Sequence, residues 1–88
     1  MNDSLKDTIC AVSTPAGTGG IAVVRVSGAA ALTICDALFT PHRPDNRLLA
    51  QAAYTVNYGT VHDGDETVDE ALATVFRAPH SFTGEDTV

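Results

Sequence analysis

Eighty-eight residues, 44 % of them hydrophobic, make one small globular domain with a modest core, because a chain this short buries about 60–70 % of the surface it exposes when unfolded. Eleven Asp and Glu against five Lys and Arg give a net charge of −6, which opposes the phosphate neutralisation behind nucleic-acid affinity and excludes a grip on RNA or DNA by this chain alone. Two cysteines are too few for a secreted disulfide scaffold, the polar start is no signal peptide, and no apolar run approaches a membrane span, so the expected location is cytoplasmic with no membrane contact.

In chain order, residues 8–13 are β-prone and closed by Thr14-Pro15, which predicts a first strand carrying Cys10. A proline and three glycines within residues 15–20 force a sharp turn that feeds a second, β-branched strand over residues 21–27. Gly17-Thr-Gly19-Gly-Ile-Ala22 fits the loose dinucleotide fingerprint, but that motif needs a strand before the glycines and a helix after them. Here a strand follows, and no Gly-Lys-Ser/Thr occurs, so a turn between strands is the better reading. Both faces of residues 21–27 are apolar except at Arg25, which predicts a central strand. A guanidinium there either pairs with a carboxylate, with Glu70 and Glu85 as candidates, or meets an anionic ligand.

Ser27 is the expected N-cap of an amphipathic helix whose stripe is Ala31, Ile34, Cys35 and Leu38, with Leu32 and Phe39 alongside, and Thr40-Pro41 stops it. Both cysteines are expected to be buried as small hydrophobes. Residues 42–46 read as a surface loop, and residues 47–52 are too short to assign. Residues 54–62 and 68–77 alternate as strands around the polar turn 63–67, which predicts a hairpin. That acidic turn lacks the Gly and Glu of a calcium loop and reads as a solvated tip.

Near the end, Glu85 follows an aromatic residue and a glycine in Thr-Gly-Glu-Asp, which suits an acceptor for the N–H groups of a ligand. His42, His62 and His80 lack ligand spacing, and Ser13, Ser27 and Ser81 lack a nucleophile signature, so neither a metal site nor a catalytic residue is assigned. The expected fold class is α/β (α+β), a small mixed β-sheet with one main helix, cut off before its last elements.

Asp7-Thr-Ile, the run STPAGTGGIAVVRVSG at residues 13–28, Val68-Asp-Glu and the run RAPHSFTGEDTV at residues 77–88 together resemble the N-terminal domain of the MnmE (TrmE) family of tRNA-modification GTPases, over essentially the whole chain. The resemblance implies that residues 1–88 are a tetrahydrofolate-binding and dimerisation domain, similar in fold to folate-binding aminomethyltransferases, without the family's helical and G domains. It implies no GTPase activity here, since GTP, magnesium and potassium belong to the absent G domain. By motif, the family's folate-contacting arginine and glutamate fall on Arg25 and Glu85, and a third contact, a lysine, lies beyond Val88. The implied ligand is 5-formyltetrahydrofolate or a related one-carbon tetrahydrofolate. The implied partners are a second copy of the chain, the FAD-dependent MnmG (GidA), and tRNA through the full complex, whose wobble uridine receives an aminomethyl-type group. Ala16 and Thr18 depart from the family's usual proline and charged residue in the glycine loop. A self-association scaffold with no ligand of its own is the alternative reading.

Overall fold

The computed structural model describes residues 7–14, 19–81 and 83–88. The centre of the glycine loop, with the departures Ala16 and Thr18, lies outside them, as do the first six residues and Phe82. The elements run β1 (Ile9–Val12), β2 (Val24–Ser27), α1 (Ala31–Leu38), β3 (Phe39–Pro41), a 3-10 turn (Leu48–Ala50), β4 (Thr55–Asp63) and β5 (Glu66–Val75). One helix with two small sheets, β1-β2 and β3-β4-β5, is the expected α+β mixture.

β1 and β2 pair antiparallel with Ile9 opposite Ser27 and Val12 opposite Val24. The last rungs come from Ser13 N–H to Val23 O at 2.8 Å and Val23 N–H to Thr14 Oγ1 at 3.3 Å. The second strand is therefore shorter than the expected 21–27. Ile21 has nothing to pair with among the described residues and is 82 % exposed. β2 is central in its pairing, because its other edge binds the chain's last residues: Val26 and Val88 exchange N–H···O bonds of 2.9 Å in both directions. Phe76 and Thr87 exchange a second pair at 2.8 Å, so residues 86–88 join the end of β5 to β2 and link the two sheets.

Ser27 does not cap the helix. It is a buried member of β2, and the chain needs residues 28–30 to turn before α1 begins at Ala31. No side chain caps α1, and the Thr8 hydroxyl accepts the N–H of Ala30, the residue before the helix, at 3.0 Å. The turn brings two backbones together, since a Cβ on Gly28, whose φ is +142°, would lie 2.5 Å from Thr8 Cα. α1 ends at Leu38, one residue earlier than its apolar stripe suggests, because Phe39 pairs with Val61 and starts β3. Pro41 is tolerated there because β3 is an edge strand.

Leu32, Phe39, Leu48 and Val75 form the core, with Cys35, Val61, Ala71, Ala73 and Val88 packed around it. Burial of the cysteines does not hold as expected: Cys35 is half-buried, while Cys10 is exposed on β1. The hairpin forms, but its turn contracts to Gly64-Asp65 because Asp63 pairs with Glu66 and a bulge after Val61 absorbs the extra residue. Gly64 sits at φ +59°, a conformation that favours glycine. The alternation of β4 is present with its large members, Val56 and Tyr58, facing outward, while Asn57 and Gly59 are buried beneath.

Candidate functional site

Arg25 is half-buried in β2, directly opposite Ala11 of β1. Strand alternation puts it on the face that carries Ser27. That face is covered by the segment that holds Glu85. The Ser27 hydroxyl meets Thr83 Oγ1 at 2.6 Å, Thr83 meets Thr87 Oγ1 at 3.2 Å, and Thr87 Oγ1 lies 3.4 Å from Ser27 Oγ. Three hydroxyls thus close a ring under the loop, each able to donate and accept.

The loop is built to hold Glu85 in place by its backbone, leaving the carboxylate out of these bonds. Glu85 N–H donates to Thr83 Oγ1 at 3.3 Å, and Glu85 O accepts from Thr87 Oγ1 at 3.1 Å and from the Ser81 hydroxyl. Gly84 adopts φ +81° with open space where a Cβ would point, so the turn requires the glycine for its backbone angle and not for room. Asp86 fixes the outer side by accepting the Ala78 N–H at 2.8 Å.

The antiparallel register sets the relation of the two expected ligand contacts. Ser27 stands opposite Thr87, so Arg25 lies two residues to one side of that pair and Glu85 two residues to the other. The ladder itself covers Val26 to Gly28 and Asp86 to Val88, and beyond it the chain bends through residues 83–85. A cation on β2 and a carboxylate on the loop bonded to that strand, with hydroxyls between strand and loop, suit a ligand held at two points. Glu70, the other carboxylate considered for Arg25, lies in the other sheet against the Tyr58 hydroxyl, whose pKa it pushes up.

Beside the Glu85 loop, Tyr54, Phe76, Pro79, His80 and Ser81 line an open cleft of about 450 Å³. Tyr54, at φ +66°, stands edge-on to Phe76 at 6.1 Å, and its hydroxyl donates to His80 O at 3.2 Å. Arg25 is not among the residues lining it. The three histidines go separate ways: His42 packs on the Tyr58 ring at 5.5 Å, His62 Nε2 meets Thr60 Oγ1 at 2.9 Å, and His80 borders the cleft. Sequence reasoning missed the roles of Ser27, Thr83 and Thr87. The signal was present in the density of hydroxyl and acidic residues around Gly84, residue types that bond to nearby backbone in turns.

Residues 8–88 match the family model described as GTP-binding protein TrmE N-terminus. The chain is 60 % identical over 82 residues to a tRNA modification GTPase MnmE of Parabacteroides distasonis, covering 92 % of this chain and 18 % of that protein. It is 51 % identical over 84 residues to the protein of the same name in Christiangramia forsetii, with 96 % and 18 % covered. For Chlorobaculum tepidum the figures are 46 % over 80 residues, with 91 % and 17 % covered. The chain thus spans less than a fifth of the length of these relatives.

Proposed function

The chain belongs to the family of TrmE N-termini, and from that premise we propose that it is the folate-binding, dimerising N-terminal part of a cytoplasmic GTPase that modifies tRNA. The observation that supports this reading is the pairing of β2 with residues 86–88, which ties the loop that carries Glu85 and its hydroxyls to the strand that carries Arg25. In this reading the guanidinium binds an anionic or carbonyl group of 5-formyltetrahydrofolate or a related one-carbon folate, and the carboxylate accepts from the N–H edge of its pterin. The folate supplies a one-carbon unit. The protein's part is to hold and orient it, while an FAD-dependent partner, MnmG, and a G domain in the rest of the polypeptide act on the wobble uridine.

Calorimetric titration of 5-formyltetrahydrofolate into the intact gene product tests this. Saturable binding is expected, weakened at least about tenfold by Arg25→Ala and by Glu85→Gln, since a charge-assisted hydrogen bond contributes about 1.5–3 kcal/mol. No binding by the wild type, or equal binding by both variants, rejects the assignment.

A second reading, a scaffold for self-association, is favoured by the apolar surface left open on the hairpin, where Val56, Tyr58, Val68 and Leu72 are all exposed. The folate titration separates the two: a scaffold with no ligand dimerises in light scattering yet takes up no folate, whereas the first reading requires saturable binding that Arg25→Ala weakens.

A further inference from the structure

We propose that the cavity between the loop at residues 42–46 and the open edge of β4 binds a small planar organic anion, a ring carboxylate that carries an O–H or N–H donor away from its charge. The cavity forms where β3 leaves its partner. β3 ends at Pro41 opposite Gly59, and His42 N–H makes one further bond, to Tyr58 O at 2.8 Å. The chain then peels off into a turn in which Asn46 N–H donates to Arg43 O at 2.9 Å. Backbone groups of alternate residues in an antiparallel strand face the same side, so the N–H and C=O of Val56 face the side that β3 has left. Between loop and strand lies a space of about 270 Å³, lined by His42, Arg43, Asn46, Val56, Asn57 and Tyr58. At roughly 30 Å³ per water this is room for about nine waters, enough for a ring and its substituents.

One wall of the cavity offers an acceptor that lacks a donor. Asn57 is 5 % exposed, and its amide nitrogen donates to Ala73 O at 3.2 Å and to Thr55 Oγ1 at 3.3 Å, which uses both of its hydrogens. The carbonyl oxygen of that amide has no donor among the described residues. It is not sealed in, since no fully buried side-chain polar atom among them lacks a partner. The space that Asn57 opens onto is the cavity it lines, and a ligand N–H or O–H placed there gains a hydrogen bond in a largely desolvated position.

The loop supplies the charge. The Arg43 guanidinium forms no ion pair or hydrogen bond with any described residue, and the side-chain amide of Asn46 is also unpaired among them. No Asp or Glu lines the cavity, although acids outnumber bases eleven to five in the chain. A guanidinium and a carboxamide on one turn suit a carboxylate. The remaining wall is aromatic: the His42 and Tyr58 rings pack at 5.5 Å, and Glu70 lies against the Tyr58 hydroxyl, which leaves the ring and Val56 to the cavity. Acceptor, aromatic wall and cation together ask for a donor, a ring and a carboxylate in one molecule. The cavity belongs to the β3-β4-β5 sheet and Arg25 to the β1-β2 sheet, so this site is separate from the one that holds Arg25.

The test is a ligand-observed NMR titration of 4-hydroxybenzoate with the intact protein, run beside benzoate, which lacks the donor, and 4-hydroxybenzyl alcohol, which lacks the charge. The expected result is saturable binding of 4-hydroxybenzoate, at least about tenfold weaker for either of the other two compounds and in Arg43→Gln, and unchanged in Arg25→Ala. Arg43 is exposed and makes no side-chain bond to a described residue, so its replacement leaves the fold in place. Absence of saturation by 4-hydroxybenzoate overturns the proposal, as does equal binding of benzoate or of the alcohol. Binding that Arg43→Gln leaves unchanged, or that Arg25→Ala removes, puts the ligand elsewhere and equally overturns it.

Discussion

Asp36 sits in the last turn of α1, where a carboxylate meets the negative end of the helix and is ordinarily destabilising. It is nevertheless held, because its carboxylate pairs with Arg47 and accepts the Leu49 N–H at 3.5 Å, tying the helix to the turn that carries the fully buried Leu48. The hydrogen bond from Arg47 is the main cause that lowers the Asp36 pKa, with the Leu49 and Leu48 N–H groups adding to it against the opposing effect of burial. A folded pKa below the unfolded one gives stability that is present above about pH 4 and is lost as pH falls through the folded value. Asp36→Asn is therefore expected to cost about 1 kcal/mol at pH 7 and to flatten the acid limb below about pH 4. Urea midpoints measured across that range check this, and parallel pH profiles for the two proteins would refute it. Arg25 and Glu85 stood out as candidates in the sequence from their motifs, whereas Asp36 and Arg47 stand eleven positions apart across a proline loop and carried no sequence signal.

Among the elements, β3 shows best why a correct pattern can end in the wrong place. Phe39 falls on the helical stripe after Leu38, yet it leaves the helix because pairing with Val61 brings its ring into the core and gives its backbone a strand partner. The close approach is made at Gly59, which is paired with Pro41: a Cβ there would lie 2.2 Å from Thr40 O and 2.6 Å from Phe39 Cζ. Neither neighbour has room to withdraw, since one is backbone and the other is a core ring. Gly59→Ala should therefore destabilise by about 1–3 kcal/mol, the usual cost of overpacking, and should separate β3 from β4. Hydrogen exchange at the Thr40 and His42 amides reads that separation, and unchanged protection would show that the strand absorbs the methyl. The hairpin was legible in its alternation and its Asp-Gly-Asp tip, but not the bulge that shortens the turn, because a bulge depends on cross-strand register.

For the whole molecule, the elements were readable one by one but their assembly was not. Thr87 and Val88 read as the start of something, and the partners they find are β2 and Phe76, contacts that no local pattern encodes. Net charge is a whole-chain property and was readable from the start, and the structure sharpens what it implies. Of the five basic residues, Arg47 is paired with Asp36, and Arg77 donates to Gln51 O at 2.6 and 2.9 Å and to Leu49 O at 3.0 Å. Arg25 lies in β2, and Arg43 is followed closely by Asp45. The described residues therefore offer no basic stripe to neutralise phosphates in series, while the net charge of −6 repels a polyanion. Residues 1–88 are expected to leave tRNA unshifted in a gel even at low salt, and Arg43→Ala to give the same result. A shift by the isolated chain that weakens steeply as salt is raised would show direct phosphate contacts and would place part of the tRNA interface on this domain.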